Sequence, residues 1–294
     1  MGYSARYHAA SLAAVFIALA VGILIGAGLG GNLLNDTEKS LQNSLRSDLE
    51  NARSQSDDLR AQIARAHDFE DQIYPILVGD KLAGSNVGVI ALGDLSGGLS
   101  DDIQAGLAPT GANLAQVSVV RSPPNAEELA RQLKGSGFGP IAKDPARLEA
   151  LGRRLGQQLA RGHGQLLQAT RDVLLSRSSG QGKHLDRVVL VRATPTGDVS
   201  PEQGAQIDAF DTGIVEGVRS TGLNTVAVED TGADQSSVPW FSSHDVSTVD
   251  DIDAVAGQVA MVYALLGANG DFGVKDSADR LLPELLVPAG SSGQ

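Results

Sequence analysis

The sequence contains no cysteine, which excludes a disulfide framework, a thiolate-bound metal centre and a cysteine nucleophile. Other soft or borderline metal ligands are scarce: two methionines and five histidines in 294 residues. Aromatic residues make up only 4%, leaving little for stacking on bases or sugars. Basic residues are a minority, 23 against 35 acidic, and the net charge is −12. A nucleic-acid partner is therefore not expected, because binding one needs a basic face to displace counterions. Glycine is in excess: 35 residues, about 12% where about 7% is usual. Apolar residues reach 42%, enough for a real core.

The apolar residues are unevenly spread. From Ala9 to Leu34 there is no ionisable side chain. About 20 apolar residues cross a 30 Å hydrocarbon layer, and only a helix satisfies its own backbone there. A cleaved signal peptide is the rival reading, but its apolar core usually runs about 7–15 residues, shorter than this one. The expectation is an uncleaved signal anchor with a single membrane span. Arg6 and the terminal amine precede the run, while Asp36 and Glu38 follow it, with Lys39 the first positive charge on that side. The positive-inside rule then places the N-terminus in the cytoplasm and everything after Leu34 outside. Gly22, Gly26 and Gly30 stand four apart on one helix face, a spacing that lets membrane helices pack closely.

From Asp36 to Tyr74 the chain is polar and helix-forming, with no glycine or proline before Pro75. Leu45, Leu49, Ala52, Ser56, Leu59, Ile63 and Ala66 fall at alternating spacings of four and three. That is a coiled-coil seam, weakened by the serine and the alanines. The bland alternative is a long amphipathic helix lying on its own globular domain. A parallel dimer is favoured over it because the glycine face just upstream points the same way. Pro75 is expected to end the helix, since the residue before proline is steered out of the helical region.

Beyond residue 80, short apolar runs alternate with helical stretches. Strands are expected at Val87–Leu92, Gln116–Val120, Arg187–Arg192, Thr225–Glu229 and Val246–Val249. Helices are expected at 99–107, 126–134, 145–175 (broken near Gly162), 201–221 and 253–266. Loops are expected at 135–140 and around Gly180. Such alternation means a parallel sheet covered by helices on both faces. The predicted fold class is α/β: a Rossmann-like domain of four or five strands over 80–270. It follows a tail and membrane helix over 1–34 and a coiled-coil-like helix over 35–75. A flexible tail over 271–294 ends the chain.

Chemistry is hard to find in this sequence. The loop after the first strand, 93–98, matches neither the dinucleotide fingerprint nor the P-loop. Gly135-Ser136-Gly137 is not a nucleophile elbow, because it follows a helix rather than a strand. His8, His67, His163, His184 and His244 are scattered, with no metal-ligand spacing. His244 is expected to make a structural hydrogen bond. The acidic run Asp245, Asp250, Asp251 and Asp253 is read as capping the helix that begins near Asp253. No catalytic, cofactor-binding or metal residue is assigned, and an enzyme is not expected.

The N-terminal string Arg6-Tyr7-His8, Ser11 to Phe16, Ala18-Leu19-Ala20 and Gly22 to Gly26 resembles the start of the actinobacterial copper transporter (MctB-like) family. Val249 to Asp253 followed by Ala256 to Ala260 is a second resemblance, and the layout of span, stalk, α/β domain and tail is a third. The resemblance implies copper efflux or homeostasis, or a channel component, in a cell-envelope membrane, with copper as the transported ion rather than a cofactor. The expected partners are membrane lipid from the span, further copies of the chain as a homo-oligomer from the glycine face and seam, and an envelope protein. The alternative is a scaffolding envelope protein whose α/β domain binds a partner or small ligand.

Overall fold

A computed structural model describes residues 5–134, 141, 144–180, 183–195 and 197–284. The chain divides into two units at Asp68/Phe69. The first holds most of helix α1 (Ala5–Val78). Its seam residues Leu45, Leu49, Leu59 and Ile63 are 51–60% exposed. Added Cβ atoms at Gly22 and Gly26 would meet nothing within 4 Å. The surroundings of Gly30 lie outside the described residues.

Helix α1 does not stop at Pro75 but runs through it to Val78. An internal proline costs a helix about 3 kcal/mol. Packing offsets this: Tyr74 and Val78 are buried, and the Tyr74 hydroxyl donates to the Gly106 carbonyl at 2.5 Å. The Pro75 carbonyl accepts from Gly79 N–H at 2.9 Å, so the last turn still closes.

The second unit is a seven-stranded sheet in the order β3-β2-β1-β4-β5-β6-β7. Its strands are β1 (Asn86–Leu92), β2 (Asn113–Val120), β3 (Leu175–Ser179), β4 (Arg187–Arg192), β5 (Asn224–Val228), β6 (Ser247–Val249) and β7 (Asp271–Phe272). All neighbouring pairs are parallel except β2 with β3. In β1, Val87, Val89 and Ala91 face one core, while Ile90 and Leu92 face the other. Burial on both faces explains why the central strands read as unbroken apolar runs. One layer holds α3 (Ala126–Gln132), α4 (Pro145–Arg161), α5 (Gln165–Leu174) and α6 (Pro201–Arg219). The other holds α2 (Gly97–Leu107), α8 (Val255–Leu265) and the last turns of α1. The short α7 (Val238–Ser242) follows β5.

Two strands exceed the four or five expected. Around Gly180 the loop reading gives way to β3, an edge strand antiparallel to β2. Only Leu175 of β3 is buried, so backbone pairing rather than an apolar pattern makes it a strand. From residue 271 the expected tail instead supplies β7, with Phe272 buried. The loop read at 135–140 and the chain beyond residue 284 lie outside the described residues.

Part of the glycine excess sits where α4 crosses α6. Added Cβ atoms at Gly152, Gly156, Gly213 and Gly217 would each stand under 3.0 Å from backbone of the facing helix. The spacing of four puts each pair on one face. Leu148, Leu151 and Leu155 of α4, with Phe210 and Ile214 of α6, complete this core. Arg153 pairs with Glu216 across its edge.

Candidate functional site

Ligands of open α/β sheets bind beyond the carboxyl ends of the strands, where the strand order reverses. Here the chain leaves β1 toward β2 on one side, and β4 lies on the other. A cavity of about 390 Å³ opens at that end. It is lined by the β1–α2 turn (Asp94, Ser96), the end of β4 (Arg192, Thr194) and the end of β5 (Glu229, Asp230). With Asp234, four carboxylates face one cation in this lining.

The β1–α2 turn has no anion-binding chemistry. Ser96 Oγ accepts from Leu99 N–H at 3.1 Å and caps α2. The Asp94 carboxylate accepts from Leu95 N–H at 2.9 Å. Arg192 reaches the crevice from β4, yet its charge is already engaged. It donates to Asp211 at 3.0 Å and lies 4.1 Å above the Trp240 ring. Asp208, 3.5 Å from Arg192, accepts from Trp240 Nε1–H at 2.7 Å. Burial pushes the Asp211 carboxyl up to about 6, although the Arg192 guanidinium pulls it down.

Glu229 is the best-satisfied acid of the crevice. It accepts from Lys275 Nζ at 2.7 Å, Ser236 Oγ at 2.6 Å, and Ser237 N–H and Oγ–H at 2.6 and 2.8 Å. Burial pushes its carboxyl up, and the four donors together hold it below the usual carboxylate range. Lys275 also donates to the Asp230 carbonyl at 2.9 Å. One Asp230 carboxylate oxygen is buried with no hydrogen-bond partner.

The acidic run does not cap α8. The N-cap position is Ala254, with no side-chain bond. Asp253 accepts instead from Thr231 N–H and Oγ–H at 2.8 and 2.9 Å. Asp250 accepts from Val274 N–H at 2.8 Å and Lys275 N–H at 3.1 Å, holding the β7 segment down. Asp245 pairs with Arg219 at 3.4 Å. Asp251 is 1% exposed, and neither of its carboxylate oxygens has a hydrogen-bond partner. Burial, then the nearby Asp250 and Asp253 charges, push it up to about 6.

A carboxyl raised in the folded state binds its proton more tightly than the unfolded chain does. Stability then falls as pH rises from 3.8 toward about 6. Asp251→Asn is expected to stabilise the fold at pH 7 by on the order of 2 kcal/mol, with the gain fading by about pH 4. Denaturant unfolding at the two pH values checks this, and an equal gain at both would remove the charge as its cause.

The histidines form no ligand cluster among the described residues. His67, His163 and His184 are exposed. His244 bonds Thr212 Oγ at 3.0 Å and the Trp240 carbonyl at 2.7 Å, the structural role expected of it. Met261 is fully buried. Among the described residues, no group of three or more His, Cys, Asp or Glu is arranged to hold a metal ion. Sequence reading missed Glu229, Lys275 and the Arg192–Asp211 pair. The one available signal was polar residues immediately after apolar strands.

Among the described residues, one helical segment, Tyr7–Ala27, is long and apolar enough to cross a membrane. The sheet is open, and its strands have 2 to 8 residues, against about 9–11 for a membrane barrel strand. Fold and span together define an α/β protein with an N-terminal helix suited to membrane anchoring. The chain belongs to the MctB family: the model described as copper transport outer membrane protein, MctB, matches residues 3–283. This is a copper transport family rather than an enzyme family. No curated protein matches the chain.

Proposed function

We propose that this protein is anchored by its N-terminal helix in a cell-envelope membrane and acts there in copper efflux or homeostasis, with the α/β domain outside the cytoplasm. The carrying observation is the family match over nearly the whole chain. The charges flanking the span support the orientation. Copper is cargo in this reading, and the protein contributes by assembly or partnership rather than by a tight site of its own. A copper site draws on cysteine, methionine or clustered histidine. The chain has no cysteine, and among the described residues no three His, Asp or Glu are grouped to hold a metal ion.

A strain lacking the protein is expected to tolerate less copper and to retain more of it, with both defects restored by the full chain. Unchanged tolerance and copper content would overturn this reading. They would favour the alternative, an envelope scaffold whose α/β domain takes a small polar ligand, which the carboxylate-lined crevice supports. Protease added to intact spheroplasts is expected to digest the α/β domain. Digestion only after lysis would reverse the orientation.

A further inference from the structure

Outside the apolar span, helix α1 carries a second apolar line that is left exposed among the described residues. Leu45, Leu49, Leu59 and Ile63 are each more than half exposed. They lie in a heptad repeat with Ser56 and Ile63 at a positions and Ala52, Leu59 and Ala66 at d positions. A seam repeating every 3.5 residues fits another helix of the same repeat. We infer that this seam pairs, parallel and in register, with the same seam of a second copy of the chain.

The flanking charges select both occupant and direction. The e positions are Arg46, Arg53, Arg60 and His67; the g positions from residue 48 are Asp48, Gln55 and Gln62. In a parallel pair, g of one helix meets e of the next heptad in the other, so Asp48 of one copy faces Arg53 of the other. In an antiparallel pair, e faces e, which sets arginine against arginine. Arg46 and Arg60 have exposed acidic neighbours in their own helix, Glu50 at 3.8 Å and Asp57 at 3.3 Å. Among the described residues, Asp48 and Arg53 have no ion-pair partner in their own chain, which leaves them for the second copy. Two chains anchored in one membrane by the same N-terminal helix are also parallel by construction. Confinement to the membrane raises the effective concentration of a weak seam.

The absence of cysteine makes the test clean. Single cysteines are placed in the full chain in membranes at d positions (Leu45→Cys, Ala52→Cys, Leu59→Cys) and at outward f positions (Ser47→Cys, Ser54→Cys, Ala61→Cys). A disulfide needs Cα atoms about 4.4–6.8 Å apart, which equivalent d residues reach only in a parallel, in-register pair. Mild oxidation is expected to crosslink all three d variants and none of the f variants. Arg53→Glu in the Leu59→Cys background is expected to lower crosslinking about threefold to tenfold, the range for two surface ion pairs turned repulsive. Adding Asp48→Arg is expected to restore it. Crosslinking at a single d position would show an antiparallel pair. Equal crosslinking at d and f would show random collision, and none would show that the two seams do not meet. Each of these results overturns the inference.

Discussion

Gly156→Val is expected to destabilise the α/β domain by on the order of 4 kcal/mol, and Gly204→Ala, in a helix of the same crossing, to stabilise it by up to about 1 kcal/mol. The contrast comes from what each new side chain meets. A Cβ at Gly156 would lie under 3.0 Å from the Ile214 backbone, which cannot rotate aside. Helices α4 and α6 would have to separate, opening the core around Leu155 and Ile214, both fully buried. A Cβ at Gly204 would meet nothing within 4 Å, so the substitution only removes the conformational freedom of glycine from a helix. The single tryptophan, Trp240, packs edge-on against buried Phe241 and reports unfolding by its fluorescence. Equal stability of Gly156→Val and the parent protein would mean that the helices do not meet at this distance.

That crossing also shows what the sequence could and could not reveal. The strands β1, β4 and β5 were legible because both their faces are buried, which turns each into an apolar run between polar residues. The glycine pairs of α4 and α6 carry an equally specific message, but it concerns two helices about 60 residues apart. Neither pair means anything until the fold sets them face to face. Strand β3 was illegible for the opposite reason: past Leu175 its Arg and Ser side chains are polar and none is buried, and only the neighbouring backbone of β2 makes it a strand. Pro75 misled because a local rule was outweighed by long-range burial of Tyr74 and Val78. The acids around β6, Asp245 to Asp253, were visible as a run of charge. Glu229 at the end of β5 was not, since the Lys275 that gives it a role meets it across 46 residues of chain. The copper assignment owes nothing to the crevice and rests on family membership across residues 3–283.

Lys275→Met is expected to cost about 3 kcal/mol at neutral pH, because it leaves a buried carboxylate without its cation. The Glu229 side chain is 8% exposed and that of Lys275 18%, so water replaces little of the lost interaction. In the parent protein the Glu229 carboxyl is held below its ordinary value, so its contribution is present at neutral pH and lost as pH falls through the folded-state value. Without Lys275 the remaining donors, Ser236 and Ser237, oppose burial alone, and the carboxyl moves upward. The variant's deficit should then shrink on acidification, as Glu229 takes up a proton and no longer needs a cation. Adding Glu229→Gln should recover much of the loss at neutral pH, since an amide keeps an oxygen for the serine donors and carries no charge. The effect also reaches β7: Lys275 N–H is held by Asp250 while its amine is held by Glu229, so this residue ties the 273–275 turn to the ends of two strands. Hydrogen exchange at Phe272 and Val274 should therefore quicken in Lys275→Met and return toward the parent rate in the double variant. A loss that is independent of pH and unrelieved by Glu229→Gln would assign the role of Lys275 to the packing of its stem rather than to its charge.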